Sequence, residues 1–280
     1  MTQTKLKIGE MNRLVAERSM EFGFYLNDRD DQVLLPQKYV PKGFALGDAI
    51  DVFVYTDSED RPVATTLTPK AMVGDFALLK AKDVNAIGAF MDWGLEKDLL
   101  VPRSEQQRPM EAGQEYVVFV GLDEETGRVY GSTRISRYCA KTSNLFKRNE
   151  EVELLVYGET KLGFQAIVNG ACIGVLYRNE VFEKVRIGDL RTGYISRVRE
   201  DGKLDLTLKK PGYASVGDSS EKLLGLLKKA GGSLPIHDKS TPDEIRNHVN
   251  MSKKEFKKAA GTLYKKGELE FQDDGIALKQ

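Results

Sequence analysis

The amino-acid sequence predicts a mainly β fold with an α+β C-terminus, laid out as small domains in series along 280 residues. Three observations carry this expectation. The stretch 74–137 alternates short apolar strands with glycines and charged turns, the pattern of a small, strongly curved antiparallel barrel of about five strands. The same pattern recurs on both sides of it. From Glu221 onward the apolar period changes from two to near 3.6, so helices replace strands.

Glycines mark the recurrence. In the central copy Gly88, Gly113 and Gly127 are 25 and 14 residues apart, and Gly163, Gly188 and Gly202 repeat both separations in the third copy. In the first copy Gly23 and Gly47 are 24 apart, and Arg61 stands 14 further on, in place of the third glycine. Gly88 interrupts an apolar run, where a small barrel has to bend. Gly127 and Gly202 fall in hairpin turns, where a positive φ costs glycine little. A period of roughly 60–75 residues is too long for a solenoid and suits complete domains in tandem. The expected boundaries are 1–68, 72–137 and 148–211 for three barrels and 221–280 for the C-terminal domain.

Several small cores fit a hydrophobic content of 41%. Formal net charge is zero, but it is uneven: −3 over residues 1–68, −2 over 69–140, +2 over 141–220 and +3 over 221–280. Any polyanion is therefore expected to meet mainly the second half. There is no apolar run near 18 residues and no apolar signal core at the start, and the two cysteines, Cys139 and Cys172, lack metal-ligand spacing. A cytoplasmic, monomeric protein with free thiols is expected, without a membrane association.

In the first barrel MNRLVAERS, FGFYLND, VLLPQ, GDAIDVFVYTD and PVATTLTP read as strands. Phe22, Phe24 and Tyr25 surround Gly23, and alternation sends at least one ring outward. Phe22 and Tyr25 are the candidate base-stacking rings, a contact worth roughly 1–3 kcal/mol per base. The neighbouring Asp28, Asp30 and Asp31 would repel phosphate. Pro69 marks the next boundary.

In the second barrel Lys80 and Lys82 alternate on one strand, Phe90 and Trp93 follow, and Arg128 lies just past the hairpin. Lysines interleaved with rings supply charge for a single-stranded backbone and faces for its bases. Residues 138–147 read as a connector. The third barrel offers Phe164 and Tyr177 as rings and Arg197 and Arg199 as alternating cations. Residues 212–220, rich in Gly and Ser, read as a flexible joint.

The C-terminal segment opens with a helix carrying Leu223, Leu224 and Leu227 on one face and closed by Gly231 and Gly232. Thr241, Pro242 and Glu244 form a capping box for a second helix, which Asn250 ends; Ser252 and Glu255 form one for a third. Phe256, Ala260, Leu263 and Tyr264 are the expected buried stripe of that third helix, with Lys253, Lys254, Lys257, Lys258 and Lys265 on its outer face as nucleic-acid contacts. ELEFQDDGIALK closes the chain as a hairpin with an Asp-Gly turn. Three helices and a hairpin make a winged helix-turn-helix.

No P-loop, HExxH or CxxC is present, and the two histidines, His237 and His248, face no paired acid in a predictable pocket. Neither catalysis, a metal site nor a cofactor is expected.

The central copy, GAFMDWGLEKDLLVP followed by AGQEYVVFVGLDEETGRVYGSTR, resembles the S1 RNA-binding domain, an OB-fold barrel. Gly88, Phe90, Arg128 and Ser132 match its pattern; Ile87 replaces its first aromatic and Val101 its surface histidine. Tandem S1-like copies followed by LPIHDKSTPDEIRNHVNMSKKEFKKAAGTLYKKG are similar to the bacterial conserved virulence factor B family. The resemblance implies three S1-like OB-fold barrels, a winged helix and a non-catalytic, virulence-associated regulator that binds single-stranded RNA and acts on gene expression post-transcriptionally. The competing expectation is a scaffold docking on the ribosome, polymerase or an RNA-processing nuclease. Duplex DNA ranks behind both, because the third helix offers lysines that suit phosphates rather than base edges.

Overall fold

The computed structural model describes residues 6–28, 31–140, 146–210 and 216–279. The chain divides into two compact units, Met1–Cys139 and Ala140–Gln280. Of the expected acidic cluster, Asp30 and the side chain of Asp28 lie outside the described residues, as do 141–145 of the connector.

In the first unit β1 (Met11–Met20), β2 (Gly23–Asp28), β3 (Asp31–Pro36), β4 (Ala49–Thr56) and β5 (Pro62–Thr65) close into a barrel in the order β1-β2-β3-β5-β4. The next five strands are β6 (Phe76–Val84), β7 (Gly88–Asp92), β8 (Leu99–Pro102), β9 (Glu115–Asp123) and β10 (Arg128–Ser132). They repeat the connectivity but form a sheet with β8 and β10 at its two edges, unjoined by a ladder. The two sets of strands pack on each other. Phe53 and Tyr55 of β4 turn out of the first barrel into a cluster with Trp93, Leu95 and Leu99. The amide of Val73 donates to the carbonyl of Gly9 at 2.9 Å.

In the second unit β11 (Glu151–Glu159), β12 (Gly163–Val168), β13 (Cys172–Tyr177), β14 (Leu190–Val198) and β15 (Leu204–Thr207) close a barrel in the same order as the first. Three helices follow, α1 (Val216–Lys229), α2 (Pro242–Val249) and α3 (Lys253–Lys266), with β16 (Ser233–Leu234), β17 (Leu269–Gln272) and β18 (Gly275–Leu278) in a sheet ordered β16-β18-β17. Helix α1 starts at Val216, inside the stretch read as a joint; 212–215 lie outside the described residues. The capping box of α2 is complete. That of α3 is half made: Ser252 accepts from the Glu255 amide, but the Glu255 carboxylate turns to Lys209 and Ser219. This turns α3 toward the third barrel. Arg246 of α2 also donates to the carbonyls of Arg178 and Val181, and Lys209 and Arg246 both lie over the Phe182 ring.

The first glycine of each copy has a steric reason that differs from the expected bend. A Cβ on Gly23, Gly88 or Gly163 would stand 2.1, 2.3 or 2.1 Å from the carbonyl oxygen of Leu35, Val101 or Leu176. The second strand must approach the third this closely, and only glycine permits it. The bend lies one strand earlier, as register shifts between Ala16 and Arg18, Ala81 and Asp83, and Val156 and Gly158. No helix among the described residues is long and apolar enough to cross a membrane.

Candidate nucleic-acid interface

At the surface around β2 in the first barrel two rings meet, Phe22 exposed and Tyr25 half-buried. Phe22, just before β2, is 51% exposed and meets Tyr25 edge-on, with centroids 6.3 Å apart. Cross-strand from Tyr25, Arg18 of β1 lays its guanidinium 4.4 Å from the ring centroid. Phe24, between them, points into the core. Arg18 escaped the sequence reading; its signal was the cross-strand register, which needs the β1 bulge to be known.

The second barrel differs from expectation. Trp93 is only 2% exposed: it meets Phe53 and Tyr55 edge-on at 5.7 and 6.4 Å, and its indole N–H donates to the Lys97 carbonyl at 2.6 Å. It therefore cannot stack a base, because its faces are covered by the first barrel. Lys82 pairs with Asp98 at 2.7 Å, whereas Lys80 is exposed. Arg128 is held bidentately by Asp60 of the first barrel, with Nε 2.8 Å from Oδ1 and a second bond from Nη2 to Oδ2. This pairing lowers the Asp60 carboxyl below the usual carboxylate range and raises Arg128. Phe90 is half-buried and lines a groove of ≈ 930 Å³ with Leu100, Tyr130, Arg128 and the carboxylates of Asp98 and Asp123. The groove lies along the open seam between β8 and β10. Its other cation, Lys97, is half-buried and donates to the carbonyls of Thr56 and Asp57 at 2.9 and 2.6 Å. Burial lowers the Lys97 pKa.

In the third barrel Phe164 is half-buried beneath Arg178, 5.7 Å from its centroid. Tyr177 donates to Asp205 at 3.2 Å and accepts from Arg199, which also pairs with Asp205 at 2.6 Å. Arg197 is exposed and unpaired among the described residues. So Arg197 and Arg199 do not form a matched pair of free cations: Arg199 is held by Asp205 and Tyr177.

On α3, Lys254, Lys257, Lys258 and Lys265 are exposed and free of ion pairs among the described residues, while Lys253 is half-buried and reaches the Lys239 carbonyl at 3.4 Å. The buried stripe is Phe256, Ala259, Ala260 and Leu263. Tyr264, expected in that stripe, is 57% exposed and tilts against Phe271 of β17 with centroids 5.5 Å apart. Tyr264 lies one residue past the stripe's last turn, on the edge facing the wing.

Residues 8–67 match the S1 domain model, and residues 221–278 match the model of the CvfB-like winged helix domain. The protein YitL of Bacillus subtilis is 29% identical over 96% of this chain and 93% of its own length. Conserved virulence factor B of Staphylococcus epidermidis is 27% identical over 84% of this chain and 81% of its own. The chain is thus similar to conserved virulence factor B proteins over most of its length. A crystal structure of a multidomain protein with nucleic acid binding domains from Streptococcus pneumoniae covers 97% of this chain at 22% identity and a TM-score of 0.43. The family models and the observed strand and helix order agree on S1 barrels and a winged helix. Among the described residues no group of three or more His, Cys, Asp or Glu side chains is placed to hold a metal ion.

Proposed function

We propose that this protein binds single-stranded RNA without transforming it, and acts in the cytoplasm as a post-transcriptional regulator of gene expression. One observation carries the proposal: within the S1-matched residues, an exposed Phe22 meets a half-buried Tyr25 edge-to-face at the surface, with Arg18 stacked on Tyr25. Surface rings beside a guanidinium suit unstacked bases on a charged backbone, and every base has a π-face to offer. The free lysines of α3 supply phosphate contacts in the other unit. Lys80, Phe90, Phe164, Tyr177 and Arg197 are secondary candidates, each still partly open to solvent.

The alternative, a scaffold for a protein partner, has one observation in its favour. The groove of the second barrel has an apolar floor and, besides Asp60, four carboxylates, Asp98, Glu105, Asp123 and Glu124, of which Asp98 and Glu105 are paired with Lys82 and Arg137. Fluorescence anisotropy of the full chain with a mixed-sequence single-stranded RNA of about 20 nucleotides, at two salt concentrations, tests the RNA reading, with duplex DNA as comparator. Micromolar or tighter, salt-sensitive binding that favours RNA is expected. No binding at low salt would refute direct recognition and leave the scaffold.

A further inference from the structure

The three barrels carry equivalent hairpin turns before their last strand, each with one residue in the left-handed region: Asp60 at φ 63°, Gly127 at 69° and Gly202 at 77°. The turn position in the first copy is thus Asp60, one residue before Arg61. Glycine takes this conformation at no steric cost, and aspartate is among the few side chains that tolerate it. The side chain that the first copy adds here makes a specific contact: the Asp60 carboxylate takes both forks of Arg128. The same hairpin also takes Lys97, through the carbonyls of Thr56 and Asp57. Both cations lining the groove of the second barrel are therefore engaged by the first barrel. A guanidinium binds a carboxylate and a phosphate with the same two-pronged geometry. The pair is open to solvent, with side-chain exposures of 58% for Arg128 and 39% for Asp60, so a competing anion can reach it.

We propose that Asp60 occupies the position of a backbone phosphate at Arg128, so that the hairpin between β4 and β5 is a built-in competitor of single-stranded RNA at the second barrel. This inference rests on the RNA reading above. In the resting protein the second barrel is a latent site. A strand held by the surface rings of the first barrel reaches Phe90 and Tyr130 only by taking Arg128 from Asp60. The exchange needs no unfolding, because the ion pair is exposed and the apolar contact of Trp93 with Phe53 and Tyr55 holds the two barrels together independently.

The test uses the full chain, a labelled single-stranded RNA of about 20 nucleotides and a salt titration. Asp60→Asn keeps the size and the tolerance of positive φ; Asp60→Gly restores the residue of the other two copies and guards against a folding defect in the first variant. Both are expected to tighten binding by roughly 3–10-fold and to steepen the slope of log K against log salt by about 0.7, the increment for one more neutralised phosphate on a single strand. Adding Arg128→Ala is expected to abolish the gain. Glu59→Gln removes the same charge one residue away and is expected to leave the slope unchanged. If the wild type binds RNA but neither Asp60 variant changes affinity, or Glu59→Gln matches their gain, the competitor role is overturned and RNA binding stands. If neither the wild type nor the variants bind RNA, the RNA reading falls and this inference falls with it.

Discussion

Trp93 offers a direct test of the packing between the first two barrels. Its ring is 2% exposed, and it makes two edge-to-face contacts and one hydrogen bond, to the Lys97 carbonyl. Truncating a buried Trp to Ala costs about 3–5 kcal/mol. Aromatic pairs add about 0.5–1.5 kcal/mol each beyond area burial, and a hydrogen bond about 1 kcal/mol. Trp93→Ala is therefore expected in the upper half of that range, about 4–5 kcal/mol off the stability of the first unit, read by urea unfolding followed by circular dichroism. Trp93 is also the one tryptophan in the chain. Its emission in the native wild type should be blue-shifted and should not change when RNA saturates the protein. A stability decrease below about 1 kcal/mol, or emission quenched stoichiometrically by RNA, would refute the buried assignment and return Trp93 to the binding surface.

Two further outcomes follow from the fold. Gly163→Ala should destabilise the third barrel by at least about 1–3 kcal/mol, measured by thermal unfolding, because its Cβ would stand 2.1 Å from the Leu176 carbonyl oxygen at a φ of 150°. Gly170→Ala, with nothing within 4 Å but a φ of 64°, should cost less. Cys139 and Cys172 are buried, and burial pushes the Cys172 thiol up. Both should react with a disulfide reagent slowly in the native protein and rapidly in urea; fast native reaction at either would contradict its burial.

The repeat was legible because its cause is local. Close approach of neighbouring strands demands glycine at Gly23, Gly88 and Gly163, and a positive φ favours it at Gly127 and Gly202, so both marks survive in the sequence. The winged helix was legible for the same kind of reason: Thr241 and Glu244 cap α2 through their own side chains. What alternation could not show was which outward faces meet another domain. Phe53 and Tyr55 point away from their own barrel and join the core cluster of the second, which holds Trp93, and a period of two cannot tell solvent from a neighbouring barrel. Arg128 read as a free cation for the same reason; its partner lies 68 residues away. Tyr264 errs in the opposite direction. Helical spacing assigns its hydrophobic ring inward, but the stripe of α3 is already filled by Ala259 and Leu263, which leaves Tyr264 against Phe271 at the surface. The Asp-Gly turn of the wing differs at its glycine: Gly275 begins β18 and is required because a Cβ would stand 2.2 Å from the Leu234 carbonyl oxygen.

A formal net charge of zero does not weigh against a polyanion partner once the charges are placed, because screening confines each phosphate to cations within about 10 Å at 0.1 M salt. In the first unit Arg13, Lys38, Arg61, Lys70, Lys82, Arg128 and Arg137 all have a carboxylate partner. Its surface ring pair, the exposed Phe22 and the half-buried Tyr25 under Arg18, is the main thing it has to offer a single strand, with Lys80 as an exposed cation in the same unit. In the second unit Lys254, Lys257, Lys258 and Lys265 of α3 have no such partners among the described residues. Affinity and salt dependence should therefore separate between the units. Phe22→Ala or Tyr25→Ala should lower RNA affinity by about 1–3 kcal/mol, the worth of one stacked base, and leave the salt slope unchanged. Lys254→Ala together with Lys258→Ala should flatten the slope by about 0.7 for each phosphate that is no longer neutralised. If the ring variants flatten the slope, or the lysine variants lower affinity equally at every salt concentration, rings and charges are not divided in this way, and the zero net charge regains its force against direct RNA binding.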